Sequence, residues 1–312
     1  MDFVFFSKRP FAWAENKLVE EISKLGYKAE VWDWDQVEVV AAPFEFFYQG
    51  IKRELPKVAM FESRIRSRYT LGDRLYLFDA LELLEQQGMT ILNSPQAVRK
   101  ASNKVYAANV LQRAGIRVPS TRMVSSVDQV GSCLKEWKDI ILKPLSGHAS
   151  IDIKRLILNE FRYGDEIADV LSIFQEIEVW HLIQNYKVLC AQQYVSNPGY
   201  DLRINVVGDK VVSIWALDCF PNTWRTKDIN EGKKLRKYEL TKELEDIALS
   251  AVSALGLDYA PIDLIEGPDG PIIIEVNSAL SIWPGHEKSG FTIDPEGSVK
   301  YYVQMIEDRI KS

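Results

Sequence analysis

Asp263, Glu275 and Asn277 are the residues of this chain whose types and spacing point most directly to chemistry. They lie in Ala260-Pro-Ile-Asp263-Leu-Ile-Glu-Gly-Pro-Asp-Gly-Pro-Ile-Ile-Ile-Glu275-Val276-Asn277, two apolar arms around a Gly-Pro-Asp-Gly turn. Pro268 starting a type I turn, with Gly270 in a left-handed position, predicts a three-residue hairpin loop that pairs Gly267 with Pro271. That register sets Asp263 opposite Glu275. Strand alternation then puts Glu275 and Asn277 on one face, with Ile274 and Val276 on the other. Two carboxylates facing each other on a half-buried sheet repel unless a cation or a basic side chain stands between them. Three hard oxygen donors at one place suit Mg²⁺.

Further candidates lie upstream. Lys143-Pro-Leu-Ser146-Gly147-His-Ala-Ser150 puts an ammonium at a strand end and small residues in the adjoining loop, where backbone N–H groups can approach phosphates. No GxxxxGK[ST] run followed by a helix is present, so this is not a P-loop. Gln192-Gln193-Tyr194-Val195 ends a strand and runs into Asn197-Pro198-Gly199, a hinge whose backbone could read an adenine edge. Asp201 and Arg203 put an acid and a base on one strand face, which by itself reads as a simple ion pair along the strand. Trp224-Arg225-Thr226-Lys227 sits in a basic loop that by itself reads as a solvated charged segment. His148, His181 and His286 show no ligand spacing.

The elements that must position these groups follow from periodicity. Residues 3–6 read as an apolar strand, and Leu18, Ile22 and Leu25 mark a helical face ending at Gly26. Strands over 29–32 and 58–61 follow, then a helix through Leu75, Phe78, Leu81 and Leu84 that stops at Gly88: a small α/β domain with a parallel sheet. Ser94-Pro95 caps a helix in which Val98, Ala101, Val105, Ala108 and Leu111 recur at helical spacing, carrying Lys104 toward Gly115. After Val118-Pro119, strands over 139–143 and 151–158 flank the small-residue loop. A polar stretch expected to be helical follows, then a strand over 188–195. Strands 202–207 and 211–216 surround Gly208-Asp209, a basic loop runs to Lys237, and a Thr241-capped helix extends to about Leu255 before the hairpin.

Composition narrows the class. A chain of 312 residues with 46% hydrophobic and 26% charged residues is an ordinary globular protein of two or three packed units. A net charge of −6 offers no basic field for nucleic acid. Cys133, Cys190 and Cys219 are odd in number and lack CxxC spacing, which suits a reducing cytoplasm and argues against a disulfide frame or zinc. No apolar run approaches the roughly 18 residues of a membrane span, and Val4-Phe5-Phe6 is too short for an export signal.

The order of the pieces carries more than any one of them. A helix lysine, a strand lysine with its loop, a hinge, Asp-x-Arg, Trp-Arg-Thr and then Asp…Glu-x-Asn resembles the ATP-grasp superfamily. Within it the chain is most similar to the RimK-like carboxylate–amine (glutamate) ligases. The resemblance runs from the first strand to about Pro284, through Asn93-Ser94-Pro95, Pro119, Lys143-Pro144-Leu145 and Tyr200-Asp201-Leu202-Arg203, and its most specific part is the spacing of Asp263 to Glu275 and Asn277. It implies an α/β (α+β) ATP-grasp fold in three parts. These are an N-terminal pre-ATP-grasp parallel α/β domain (1–97), a central lid with its leading helix (98–194), and a C-terminal mixed-sheet domain with the metal site (195–312).

The resemblance assigns Lys104 and Lys143, with Ser146 and Gly147, to the ATP phosphates, and Gln193, Tyr194 and Val195 to the adenine. Asp201 would contact the nucleotide, and Arg203 and Arg225 would stabilise the transferred phosphoryl group and the acyl-phosphate. Asp263, Glu275 and Asn277 would hold one or two Mg²⁺, with Mn²⁺ as a substitute, and Arg64 would contact substrate. Departures from the pattern are Ser-Gly-His-Ala-Ser where relatives carry more glycine, Gln193 where glutamate is common, and Lys227 where Asn is common. The implied reaction activates a carboxylate as an acyl-phosphate and lets an amine displace phosphate, adding glutamate or another amino acid to a protein tail, a cofactor or an amino-acid intermediate. The implied partners are small carboxylate and amine substrates in the cytoplasm, with no nucleic acid and no membrane; homo-oligomer formation stays open. The alternatives are an ATP-binding regulatory protein of the same fold without turnover, and a ligase of amino-acid or peptide biosynthesis that uses a different amine.

Overall fold

A computed structural model describes residues 1–8, 13–62, 71–145, 152–163, 166–219, 235–282 and 295–312. The chain opens with β1 (Phe3–Ser7), whose residues are all buried. Phe3 and Phe5 enter one core and Val4 and Phe6 another, as expected of a central strand covered on both faces. α1 (Trp13–Lys24) buries Leu18 and Ile22, whereas Leu25 lies beyond its last turn and is half exposed, so the expected three-residue face is one residue too long. β2 (Ala29–Asp33) is followed by a three-stranded antiparallel meander that the sequence did not announce: β3 (Val37–Ala41), β4 (Phe44–Tyr48) and β5 (Ile51–Lys52). The ring of Tyr48 stacks on Trp32 at 4.3 Å between centroids, and Phe46 lies 6.0 Å from the same indole. Contacts of this kind are worth roughly 1 kcal/mol each beyond burial and tie the meander to β2. β6 (Val58–Phe61), α2 (Leu71–Gln86) and β7 (Thr90–Leu92) complete a parallel sheet of order β2-β1-β6-β7.

At the end of β7, Asn93 is wholly buried. Its Nδ2 donates to the carbonyls of Tyr259 (2.9 Å) and Ser278 (3.2 Å), and its Oδ1 accepts from the N–H groups of Asp258 (2.5 Å) and Tyr259 (3.0 Å). One amide thus ties the N-terminal sheet to segments about 165 and 185 residues later. Ser94 and Pro95 start α3 (Pro95–Ser102) as expected, the Ser94 hydroxyl accepting from Ala97 N–H. The expected single helix is instead two. Asn103 breaks it and caps α4 (Lys104–Arg113), accepting from the N–H groups of Val105 and Tyr106. The break resets the helical phase, so Ala107 and Leu111 are buried where Ala108 was expected.

The middle of the chain forms β8 (Thr121–Val124), α5 (Val127–Trp137), β9 (Asp139–Pro144), β10 (Lys154–Ile157), β11 (Asn159–Tyr163), β12 (Glu166–Val170), α6 (Ile173–Tyr186) and β13 (Leu189–Gln193). Strands β10-β9-β13-β8 make an antiparallel sheet, and α5 and α6 share its core through Val130, Leu134, Val179 and Leu182. Part of the stretch expected to be helical is a separate hairpin, β11 with β12. Its arms are rich in Phe, Tyr, Ile and Val around Gly164-Asp165, a strand composition diluted by charge.

The last third gives β14 (Tyr200–Val207), β15 (Lys210–Asp218), β16 (Leu235–Lys237), α7 (Lys242–Leu255), β17 (Tyr259–Gly267), β18 (Gly270–Val276) and α8 (Pro295–Lys311). The sheet order is β16-β15-β14-β17-β18, every pair antiparallel. β16 is a strand at the end of the expected basic loop, and α8 was not anticipated. α3, α4 and α7 pack Ala101, Leu111, Ala248 and Val252 against Leu202, Ile204 and Leu264 of this sheet. α8 buries Val299, Tyr302 and Ile306 with Phe3, Phe5 and Tyr259, so N- and C-terminal segments share one core.

The hairpin of β17 and β18 differs from expectation in an informative way. Gly267 pairs with Gly270 across a two-residue turn, not with Pro271. A bulge then intervenes: Leu264 pairs with Ile273 but Asp263 with Glu275, leaving Ile274 as the extra residue. The one residue absent from the loop is restored by the bulge, and Asp263 still faces Glu275. Because the bulge breaks alternation, Ile273 and Val276, three apart, are the buried pair; Ile274 does not join Val276 in the core.

Candidate functional site

The site grows from one cross-strand row. Arg203 of β14 pairs with Asp263 of β17, which pairs with Glu275 of β18, so the three side chains stand abreast on one face. The guanidinium of Arg203 grips Asp263 with two parallel hydrogen bonds, Nε to Oδ1 at 2.8 Å and Nη2 to Oδ2 at 2.9 Å. The Asp263 charge raises the Arg203 pKa above its ordinary value, outweighing the opposing effect of burial. Arg203 therefore pairs across strands, while Asp201, two residues earlier on the same face, accepts from Asn197 Nδ2 at 3.1 Å. Asn277 Nδ2 lies 3.3 Å from Asp263 Oδ2.

Two lysines complete the constellation. Lys104, the first residue of α4, reaches Glu275 Oε1 at 3.0 Å, placed there by the Asn103 cap. Its backbone N–H donates to the carbonyl of Leu145 at 3.2 Å, which brings the start of α4 against the chain just after Lys143. Lys143 is only 4% exposed, and its Nζ donates to Gln192 Oε1 at 2.8 Å. Burial pushes its pKa down, while Cys190, Glu275 and Asp263 act in the opposite sense. The carboxylates that the sequence required to be compensated are thus met by basic side chains, Arg203 on Asp263 and Lys104 on Glu275.

At the hinge, the Gln193 side chain is exposed at the end of β13 and its backbone N–H donates to Ser120. The Tyr194 N–H donates to the Asp139 carbonyl, and its ring is covered by Arg155 at 3.7 Å, itself held by two-pronged contact with Asp139. Val195 makes no hydrogen bond among the described residues and packs near Gly267. Ser146, Gly147, Arg225, Arg64, Trp224 and Lys227 lie outside the described residues. The structure therefore brings Lys104, Lys143, Arg203, Asp263, Glu275 and Asn277 together, with Asp201 beside them along β14 and Tyr194 and Val195 at the hinge.

Sequence reasoning passed over Gln192, Thr121 and Asn103. The signal for Gln192 lies in a strand register that sequence alone does not give: Lys143 pairs with Cys190, so alternation puts Gln192, two residues on, on the lysine's side of the sheet and Gln193 on the other.

Whether the group fits a divalent cation is decided by its donors. Asp263 and Glu275 offer carboxylate oxygens and Asn277 an amide oxygen, a hard set suited to Mg²⁺. Among the described residues no cluster of three or more His, Cys, Asp or Glu could hold a metal unaided. The set therefore fits an ion that keeps water and phosphate oxygens among its ligands, as Mg²⁺ does.

Comparison with known proteins places this geometry. A RimK-like ATP-grasp domain matches residues 101–296. The tetrahydromethanopterin:alpha-L-glutamate ligase of Methanosarcina acetivorans is 33% identical over 192 residues, 62% of this chain but only 58% of that enzyme, so the match spans less than two thirds of that relative. The probable alpha-L-glutamate ligase of Serratia proteamaculans is 28% identical over 311 residues, 98% of this chain and 96% of the other. Among solved structures, the ATP-grasp ligase PsnB complexed with minimal precursor, Mg and ADP shares the fold with a TM-score of 0.67, at 18% identity, over 99% of this chain and 97% of that one. No helix among the described residues is long and apolar enough to cross a membrane. With a family match over more than half its length, the chain belongs to the RimK-like ATP-grasp family, whose relatives above are named as alpha-L-glutamate ligases.

Proposed function

We propose that the protein is an ATP-dependent carboxylate–amine ligase that forms an amide through an acyl-phosphate, adding L-glutamate or another amino acid to a protein tail, a cofactor or an amino-acid intermediate. The observation that carries this reading is the Arg203–Asp263–Glu275 row with Lys104 on Glu275 and Lys143 close by. Arg203, Lys104 and Lys143 converge on the Asp263–Glu275 pair and give a polyphosphate three fixed basic side chains at one place, in a chain whose net charge is −6. Phosphoryl transfer asks for this kind of fixed charge and alignment more than for acid–base groups.

In this reading Lys104 and Lys143 bind the phosphates, Tyr194 and Val195 with Gln193 border the adenine, and Asp201 contacts the nucleotide. Asp263, Glu275 and Asn277 would hold Mg²⁺, which supplies charge neutralisation along the phosphates. Arg203 is fixed in direction by its two bonds to Asp263, so its outer edge is preorganised toward the oxygens on which charge develops. Arg225 is assigned the same task. The unit built on β8 to β13 acts as the lid that keeps water from the intermediate. The proposed division keeps three parts, 1–97, 98–194 and 195–312, and the leading helix of the middle part, α4, packs on the C-terminal sheet through Ala107 and Leu111. A cytoplasmic location goes with three cysteines that lack disulfide spacing.

The alternative, an ATP-binding regulator without turnover, draws on the finding that protein cations already neutralise both carboxylates. ADP release measured with Mg-ATP, alone and with panels of carboxylates and amines that include L-glutamate, separates the two. Release that requires both a carboxylate and an amine is expected; nucleotide binding with no release across the panel overturns the ligase reading.

A further inference from the structure

Lys143 presents a problem of electrostatics. Its ammonium is buried, and the one side chain among the described residues to which it donates is a neutral amide, Gln192 Oε1 at 2.8 Å. A buried ammonium facing only hydrocarbon would lose its proton, and one bonded to a carboxylate would have its charge cancelled. A neutral acceptor avoids both, since it stabilises the charge without neutralising it.

The amide has to be turned the right way, and the neighbouring groups set its direction. Thr121 Oγ1 donates its single proton to the carbonyl of Pro119 at 2.8 Å. Toward Gln192 that hydroxyl can therefore only accept, and it faces Nε2 at 3.3 Å. With Nε2 committed to Thr121, Oε1 is directed at Lys143. Gln192 is itself only 5% exposed, so solvent does not compete for either end. The chain of bonds runs with one polarity: Lys143 ammonium to Gln192 oxygen, Gln192 amide N–H to Thr121 oxygen, Thr121 O–H to Pro119 carbonyl. Lys143 and Gln192 sit on adjacent strands β9 and β13, and Thr121 on β8, so three strands of the lid sheet each supply one member.

We propose that Gln192, oriented by Thr121, is a positioning residue for nucleotide binding: it holds the Lys143 ammonium charged and aimed while leaving its positive charge for the phosphates. The inference rests on the reading that Lys143 binds phosphate.

The test compares ADP, which carries phosphates, with adenosine, which does not, by calorimetry in the presence of Mg²⁺. Gln192→Leu, which loses a hydrogen bond to a charged group, and Gln192→Glu, whose carboxylate cancels the charge of the ammonium, are each expected to weaken ADP binding about tenfold or more. Thr121→Val should weaken it about threefold, and adenosine binding should stay within about twofold in all three. In Gln192→Leu the pH at which ADP affinity falls should also move down, because the ammonium has lost its acceptor. Folding is checked by circular dichroism; should Gln192→Leu fail to fold, Gln192→Glu and Thr121→Val carry the test. ADP affinity unchanged in folded Gln192 variants, or lost in step with adenosine, overturns the inference. Lys143→Met distinguishes the two levels: if it binds ADP like the unaltered protein, the phosphate reading of Lys143 fails; if it binds about tenfold weaker while the Gln192 variants do not, only the positioning role fails.

Discussion

Glu275 faces Asp263 across the hairpin and bonds to Lys104, so it joins an acid pair to the lysine on the helix. Glu275→Gln keeps the shape and the contact to Lys104 but removes the charge. ADP formation is expected to fall by at least about 100-fold, with the thermal midpoint changed by only a few degrees. Undiminished turnover in that variant would contradict the metal and phosphate assignment. At this scale the sequence was informative for charged residues. Asp263, Glu275, Lys143 and Arg203 could be singled out because ionised groups in apolar strands are costly unless they have a task or a partner, Asn277 because it shares a strand face with Glu275, and Lys104 through the family resemblance. Gln192 escaped notice because a neutral amide at a strand end carries no such cost, and its importance depends on a lysine 49 residues away.

Helix and strand irregularities set where those side chains land. The apolar positions from Val98 to Leu111 continue at helical spacing through Asn103, so periodicity alone could not show that the helix stops and restarts there. The cap is what puts Lys104 at a helix start beside Glu275. Asn103→Ala should cost about 1 kcal/mol, as N-cap losses do. Thr241→Ala, which removes the equivalent cap of α7, a helix that carries no member of the row, should cost about the same. Only the Asn103 variant is expected to raise the KM for ATP, by about threefold or more. Equal effects on KM would mean that the cap does not position Lys104. The hairpin shows the opposite kind of legibility. A three-residue loop and a two-residue turn with a bulge both insert one residue, so the facing pair could be read correctly although the turn could not. The β11–β12 hairpin stayed hidden because its charged residues mask the alternation, and β16 is too short at three residues to carry a periodic signal.

Across the whole molecule, the N-terminal sheet is joined to the C-terminal one by Asn93 and by the shared core of β1, β6, β17 and α8. Asn93→Ala would leave two buried carbonyls and two N–H groups without that partner. It should destabilise the protein by on the order of 3 kcal/mol in urea unfolding; unchanged stability would contradict its role as the link. Glu85 of α2 is pushed up to about 7 by burial, with Glu82 and Asp258 adding to the effect. A carboxyl raised in the folded state holds its proton where the unfolded chain has lost it, so its unfavourable contribution grows from about pH 4.5 to 7 and is complete above that. Glu85→Gln is therefore expected to stabilise the protein at pH 8 by about 1 kcal/mol after allowing for solvent screening, and by much less at pH 5. A gain independent of pH would contradict that assignment. These links were scarcely legible in sequence, since Asn93, Asp258 and α8 meet only through tertiary packing. The parallel order of the N-terminal strands was legible, because runs such as Phe3 to Phe6 are apolar on both faces. The account as a whole stands on acyl-phosphate formation. The most direct measurement supplies Mg-ATP, an amine and a carboxylate labelled with ¹⁸O in both oxygens, and follows the released phosphate by mass spectrometry. One labelled oxygen transferred to phosphate for each amide formed is the expected result; amide or ADP formation with unlabelled phosphate would contradict it.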